Sequence, residues 1–139
     1  TMWDVIEHVA DPRGTLEKAH RLLKPGGLAV VHTIDIESSL ARLMGARWPW
    51  LMEMHIYYFS RRTLRAMLEM CGFQVLSDRP QGRYLRLGYL MNRVSALMPV
   101  VGHPAEWLVT KLGLRGLAVP VNLGDLFTAY AQKSPYSAA

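Results

Sequence analysis

The chain has 139 residues, half of them hydrophobic and 19% charged, the balance of a globular domain and not of a disordered or fibrous chain. No apolar run reaches the ~18 residues of a membrane-spanning helix, and a single cysteine, Cys71, excludes an internal disulfide framework or a multi-cysteine zinc site. The formal charge of +5 permits an anionic partner or surface without requiring one.

Thr1-Met2-Trp3-Asp4-Val5-Ile6 reads as a strand with no cap or polar lead-in, the pattern of a chain cut inside an element. Asp4, Glu7 and His8 interrupt the apolar stretch, so no secretory leader is read there and a cytoplasmic location is expected. Asp11-Pro12 starts a helix, because Asp accepts backbone N–H bonds at an N-cap and Pro fits the first turn. Leu16, Ala19, Leu22 and Leu23 continue it at helical spacing until Lys24-Pro25-Gly26-Gly27 turns the chain. Leu28 to Ile34, rich in β-branched residues, is a buried strand.

Ser38 to Met44 fits a short helix and Trp48-Pro49-Trp50 an irregular loop. Ser60 caps the next helix, whose Leu64, Met67, Leu68 and Cys71 repeat at i, i+3, i+4 and i+7 before Gly72 stops it. Cys71 on that stripe reads as core, and Arg61, Arg62 and Arg65 as a solvated face, so no nucleic-acid partner is expected. Phe73-Gln74-Val75-Leu76 follows as a strand. Residues 84–118, rich in Leu, Met and Val and broken by Pro99 and Pro104, predict helices near 85–98 and 104–112, and Asp125 to Ala131 a closing strand. Residues 134–139 form an expected frayed tail. This alternation is that of a layered α/β sheet, with the two main helices expected to cover both of its faces.

Three segments together resemble the second half of class I S-adenosylmethionine (SAM)-dependent methyltransferases. They are Met2 to Pro12 followed by Leu22 to Gly27, His55-Ile56-Tyr57-Tyr58-Phe59-Ser60 followed by Leu68 to Phe73, and Asn122-Leu123-Gly124-Asp125 with the strand after it. The resemblance implies an α/β fold, the C-terminal part of a Rossmann-like methyltransferase sheet ordered 3-2-1-4-5-7-6. Residues 1–7 would then be the end of strand 4, 28–34 strand 5, 73–79 strand 6 and 125–132 the antiparallel strand 7. Residues 1–133 would form one partial domain with a helical insertion at about 84–118. The Gly-rich cofactor loop of strands 1 to 3 would lie before residue 1. The expectation is therefore that residues 1–6 form an exposed or artificially paired edge strand and that the chain alone binds SAM poorly.

By the same resemblance, Met2, Trp3 and Asp4 would face SAM, and Glu7 and His8 the acceptor as the catalytic pair, with the His8 imidazole as general base. His55, Trp50, Tyr57 and Tyr58 would line the substrate, although the aromatics equally fit plain packing. A second reading makes Asp4, Glu7, His8 and His55 the ligands of a divalent metal. The D-x-x-E-H spacing resembles the E-x-x-E-H of metal-dependent O-methyltransferases, including ubiquinone-biosynthesis and small-RNA 2′-O-methyltransferases, with Asp in place of the longer Glu. The implied activity is methyl transfer to an O, N or C nucleophile of a small, aromatic or lipid-like substrate. Metal-assisted O-methylation and a non-catalytic degenerate scaffold are the alternatives. Residues 84–118 fit a substrate cover, a homodimer face or a membrane-surface contact.

Overall fold

The structure is a computed structural model that describes residues 1–134, the side chain of Leu97 excepted; the expected frayed tail therefore lies, from residue 135 onward, outside the described residues. The elements run β1 (Met2–Trp3), α1 (Pro12–Leu22), β2 (Leu28–Ile34), α2 (Ser39–Met44), α3 (Arg61–Met70), β3 (Phe73–Pro80), β4 (Arg83–Arg86), α4 (Leu87–Leu97), α5 (Pro99–Lys111), β5 (Ala118–Val121) and β6 (Leu126–Lys133). By contacts they fall into two compact units, residues Gly82–Asn122 and the remainder.

The larger unit is built on a four-stranded sheet in the order β1-β2-β6-β3. That is the 4-5-7-6 order the resemblance implies. β1 runs parallel to β2, with Met2 opposite Val31 and Trp3 opposite His32. β6 inserts antiparallel between β2 and β3, which leaves β1, β2 and β3 pointing one way. Four consecutive residues of β6, Leu126 to Ala129, are buried, because a central strand covered on both faces has no solvent side on which polar residues could alternate.

Register divides the core. Ala29, Val31, Phe127, Ala129, Ala131 and Phe73 share one face, where they pack with Ile6, Phe59, Leu16 of α1 and Leu64 and Leu68 of α3. Ile34 and Leu126 face the other way and meet Ala41 of α2 and Trp48. The two main helices thus cover the same face, contrary to the expectation that they divide between both. The opposite face is closed by α2 and the tryptophan loop. Cys71 lies in the first cluster, where burial pushes its thiol up and suits it to packing.

The helix ends follow their sequence signals. The Asp11 side chain accepts from Gly14 N at 2.9 Å, and Ser60 and Thr63 form a reciprocal capping box. Gly72 takes φ +85° at the end of α3, a left-handed conformation that disfavours any Cβ. At the last turn of α1, Lys133 Nζ donates to the carbonyls of His20 and Leu23, each at 2.9 Å, tying that helix end to β6.

Two expectations need correction. Strand 4 does not run over residues 1–7. It ends at Trp3 because Asp4 adopts φ +52° and Val5 to His8 closes a turn, His8 N donating to Val5 O at 3.0 Å. Within Gly82–Asn122, α4 and α5 are joined almost directly and flanked by an antiparallel β4–β5 pair that the Leu- and Met-rich pattern hides. Pro99 opens α5 and so marks the break after α4, whereas Pro104 lies inside α5, which therefore begins earlier than the expected 104. Between these helices Gly102 is required: a Cβ there would stand 2.3 Å from the Ser95 Cα.

Leu64 is fully buried beneath the sheet. Leu64→Ala should lower unfolding free energy by about 2–5 kcal/mol in urea titrations; a loss below about 1 kcal/mol would contradict its place in the core.

Candidate active site at the carboxyl edge of the sheet

The parallel strands end together, at Trp3-Asp4 for β1 and Ile34-Asp35 for β2, the edge where open α/β sheets bind their ligands. Asp4 is the only non-glycine residue with positive φ among the described residues. An Asp tolerates that conformation better than most side chains, and the reversal it produces turns Glu7 inward. Glu7 is 1% exposed, and its backbone carbonyl accepts from both Ile56 N, at 2.9 Å, and Tyr57 N, at 3.1 Å. These two hydrogen bonds to one carbonyl clamp the segment before α3 onto the loop after β1.

The clamp brings Glu7, His8 and His55 together, with one ligand-capable atom of each within 4.8 Å of the others. The two imidazole centroids are 4.7 Å apart, tilted by 58°. His8 Nδ1 lies 2.8 Å from Met54 O and His55 Nδ1 lies 2.7 Å from Trp50 O. A carbonyl only accepts, so each bond assigns the proton to Nδ1 and leaves the lone pair on Nε2. Glu7 Oε2 is buried with no hydrogen-bond partner among the described residues, a costly state for a carboxylate oxygen unless a donor or cation meets it. A carboxylate and two imidazoles with free Nε2 lone pairs form a donor set that fits a divalent cation such as Mn²⁺ or Zn²⁺.

Asp4 does not join this set. Its Oδ1 faces His32 Nε2 at 4.0 Å, and the four-residue metal reading is thereby reduced to three. His32 is buried in mid-sheet, its Nδ1 2.9 Å from Thr128 Oγ1 and its ring stacked on Trp3 at 4.2 Å. Met2 packs against the core beneath, whereas about half of the Trp3 surface stays exposed.

The aromatic residues expected to line the substrate are committed to the protein by their polar atoms. Trp50 Nε1 donates to Asp125 Oδ2 at 2.8 Å, and Trp48 Nε1 to the same oxygen at 3.2 Å. The Tyr58 hydroxyl accepts from Met52 N and donates to Met52 O, and its ring meets His55 edge-on. Tyr57 donates to Ala10 O at 3.3 Å. These contacts make Trp50 and Tyr58 supports of the His55 loop. Asp125 is the residue that sequence reasoning missed as a positioning group. Its motif with Gly124 was visible, but nothing in the sequence ties it to two tryptophans 75 and 77 positions away.

Beside the start of α3 lies a cavity of about 510 Å³ lined by acids and arginines. Arg61 reaches Asp35 at 3.5 Å, Arg62 reaches Glu37 at 3.6 Å, and Arg65 pairs with Asp78. Burial pushes the Asp35 carboxyl above its ordinary range, although Glu37 N and Arg61 oppose the shift. The arginine face is thus largely neutralised by acids of its own unit.

Comparison with known proteins agrees with this fold. A family model described as a methyltransferase domain matches residues 1–78. The chain is similar to the ubiquinone biosynthesis O-methyltransferase of Cereibacter sphaeroides, 45% identical over 47 residues that make up 32% of this chain and 19% of that protein. The enzyme of that name from Ruegeria pomeroyi is 56% identical over 32 residues, 23% of this chain and 13% of that protein. Among solved structures, a SAM-dependent methyltransferase from Thermotoga maritima superposes with a TM-score of 0.54 at 22% identity, covering 96% of this chain and 54% of that one. One from Archaeoglobus fulgidus gives 0.51 at 19% identity, covering 95% and 57%. The chain therefore spans little more than half the length of these structures, and its matched segments less than a fifth of the curated relatives.

The carbonyl partners fix the imidazole tautomers. Long-range ¹H–¹⁵N spectra at pH 8 should show His8 and His55 protonated at Nδ1 and bare at Nε2. The opposite tautomer on either ring would refute the arrangement.

Proposed function

The chain belongs to the methyltransferase-domain family, and from that premise we propose that the protein transfers the methyl group of SAM to a hydroxyl oxygen of a small aromatic or lipid-like acceptor. One observation carries the choice of oxygen. Among the described residues Glu7 Oε2 is buried without a hydrogen-bond partner beside two imidazoles whose Nδ1 protons are already engaged, a constellation suited to a hydroxyl held by a cation. The curated relatives matched by sequence are named for O-methyl transfer, which agrees with an oxygen acceptor.

In this reading Glu7, His8 and His55 hold a divalent ion. Such an ion, when bound, lowers the pKa of an acceptor hydroxyl and orients its oxygen. The residues of the chain supply position. Trp50 O and Met54 O keep both rings in the ligating tautomer, and the Glu7 carbonyl keeps His55 within reach of His8. Met2, Trp3 and Asp4 are assigned to the methionine end of SAM, and Tyr57 to the acceptor side. Methyl transfer is an in-line displacement, so its rate depends on holding the oxygen, methyl carbon and sulfur in line.

A second reading dispenses with the metal. The free Nε2 lone pair of His8, fixed by Met54 O, would take the hydroxyl proton as the O–C bond forms and the C–S bond breaks, the bonding pair returning to sulfur. Assay of the full-length protein with labelled SAM and a catechol acceptor separates the two. With the metal, chelation abolishes turnover, added Mn²⁺ or Zn²⁺ restores it, and Glu7→Gln lowers kcat/KM by about 10²–10⁴-fold while SAM binding persists. Turnover unaffected by chelator but lost in His8→Ala supports the base. SAM binding without methyl transfer to any O, N or C acceptor supports a scaffold and overturns both.

A further inference from the structure

Gly82–Asn122 concentrates charge and exposed apolar surface in one unit. Its 41 residues hold Arg83, Arg86, Arg93, Lys111 and Arg115 against a single acid, Glu106, and so carry +4 of the chain's formal +5. Glu106 is turned inward, accepting from Ser95 Oγ at 3.0 Å and facing Arg115 Nη1 at 3.9 Å. Its charge offsets little of the outer surface.

Helix α5 shows how the apolar surface is arranged. Gly102, on the side packed against α4, is buried hard against Ser95. Val100, Pro104, Trp107, Leu108 and Lys111 recur at i, i+4, i+7, i+8 and i+11, which places them on one outward stripe. Val100 is 88% exposed and Trp107 62%, with Leu108, Leu112, Leu114 and Leu117 also exposed beside or beyond the stripe. Lys111 Nζ sits 4.8 Å from the Trp107 ring centroid. An indole and an ammonium at the edge of an apolar strip match the headgroup level of a bilayer, where the ring is half-immersed and the cation meets lipid phosphate.

We infer that Gly82–Asn122 docks on the surface of an anionic lipid membrane through the α5 stripe. Two arguments fix this occupant. The 13 residues of α5 extend about 20 Å, short of the ~30 Å hydrocarbon core, and among the described residues no helix is long and apolar enough to cross a membrane; the helix lies in the interface and does not span it. A second copy would bring together two units that each carry a net +4, whereas anionic headgroups complement that charge.

The test is flotation of the purified full-length protein with phosphatidylcholine vesicles and with vesicles containing one quarter phosphatidylglycerol, at ~0.15 M salt. Binding should be at least about ten-fold stronger to the anionic vesicles. The double variant Val100→Ser, Trp107→Ser should lose it by a similar factor at unchanged far-ultraviolet circular dichroism, while Trp107→Phe retains it. Absence of binding to anionic vesicles overturns the inference. So does unchanged binding by the double variant, or a dimer in sedimentation velocity that the double variant dissolves without any vesicle binding by the parent.

Discussion

The candidate site depends on one acceptor, the main-chain carbonyl of Glu7. It receives hydrogen bonds from both Ile56 and Tyr57 and thereby joins the loop after β1 to the segment leading into α3. That clamp, with the bond from His8 Nδ1 to Met54 O, sets His55 beside His8. The same turn that exposes the carbonyl also buries the Glu7 side chain, so one local conformation positions a carboxylate and recruits an imidazole from a distant part of the chain. The conformation itself rests on Asp4, whose left-handed φ is uncommon for a residue with a Cβ and characteristic of sites where geometry is held by its surroundings.

A second chain of contacts supports the clamp from the other side of the sheet. Asp125, buried just before β6, accepts from the indoles of Trp48 and Trp50 and fixes the loop between α2 and α3. The Trp50 carbonyl then holds His55 Nδ1. A charged acceptor shared by two donors in a buried setting is a strong hydrogen-bonding arrangement. Its role is directional: it aims a backbone carbonyl that selects a tautomer, and the tautomer determines which nitrogen is free for a cation or a proton. The aromatic residues of this loop therefore matter more through what they support than through their faces.

The two units show opposite uses of apolar surface. In the larger one, β6 and β2 are buried on both sides, and His32 of β2 is hydrogen-bonded to Thr128 of β6. In Gly82–Asn122 the helices pack closely at Gly102 yet leave Val100, Trp107 and their neighbours facing outward. An apolar stripe left open on a folded unit marks a candidate interaction surface.

By itself the sequence determined the elements and their order. Capping residues such as Asp11 and Ser60, the glycine stop at Gly72 and the 3.6- and 2-residue periods are local signals, and they placed α1, β2, α3 and β6 within a residue or two. The resemblance of three segments supplied the sheet order. The sequence also named Glu7, His8 and His55, because residue type and spacing limit which side chains can do such chemistry. Tertiary structure alone decided the rest. The early end of β1 follows from a backbone angle at Asp4 that no side-chain pattern encodes. Both main helices lie on one face because the crossovers from β1 to β2 and from β2 to β3 step in the same direction across the sheet with the same hand. Asp4 parts from the metal set, Asp125 becomes a support, and the carbonyls of Trp50 and Met54 choose the histidine tautomers. Each of these depends on backbone groups or on contacts between residues far apart in the chain, and a carbonyl oxygen is the same in every residue, so nothing in the sequence marks the ones that matter.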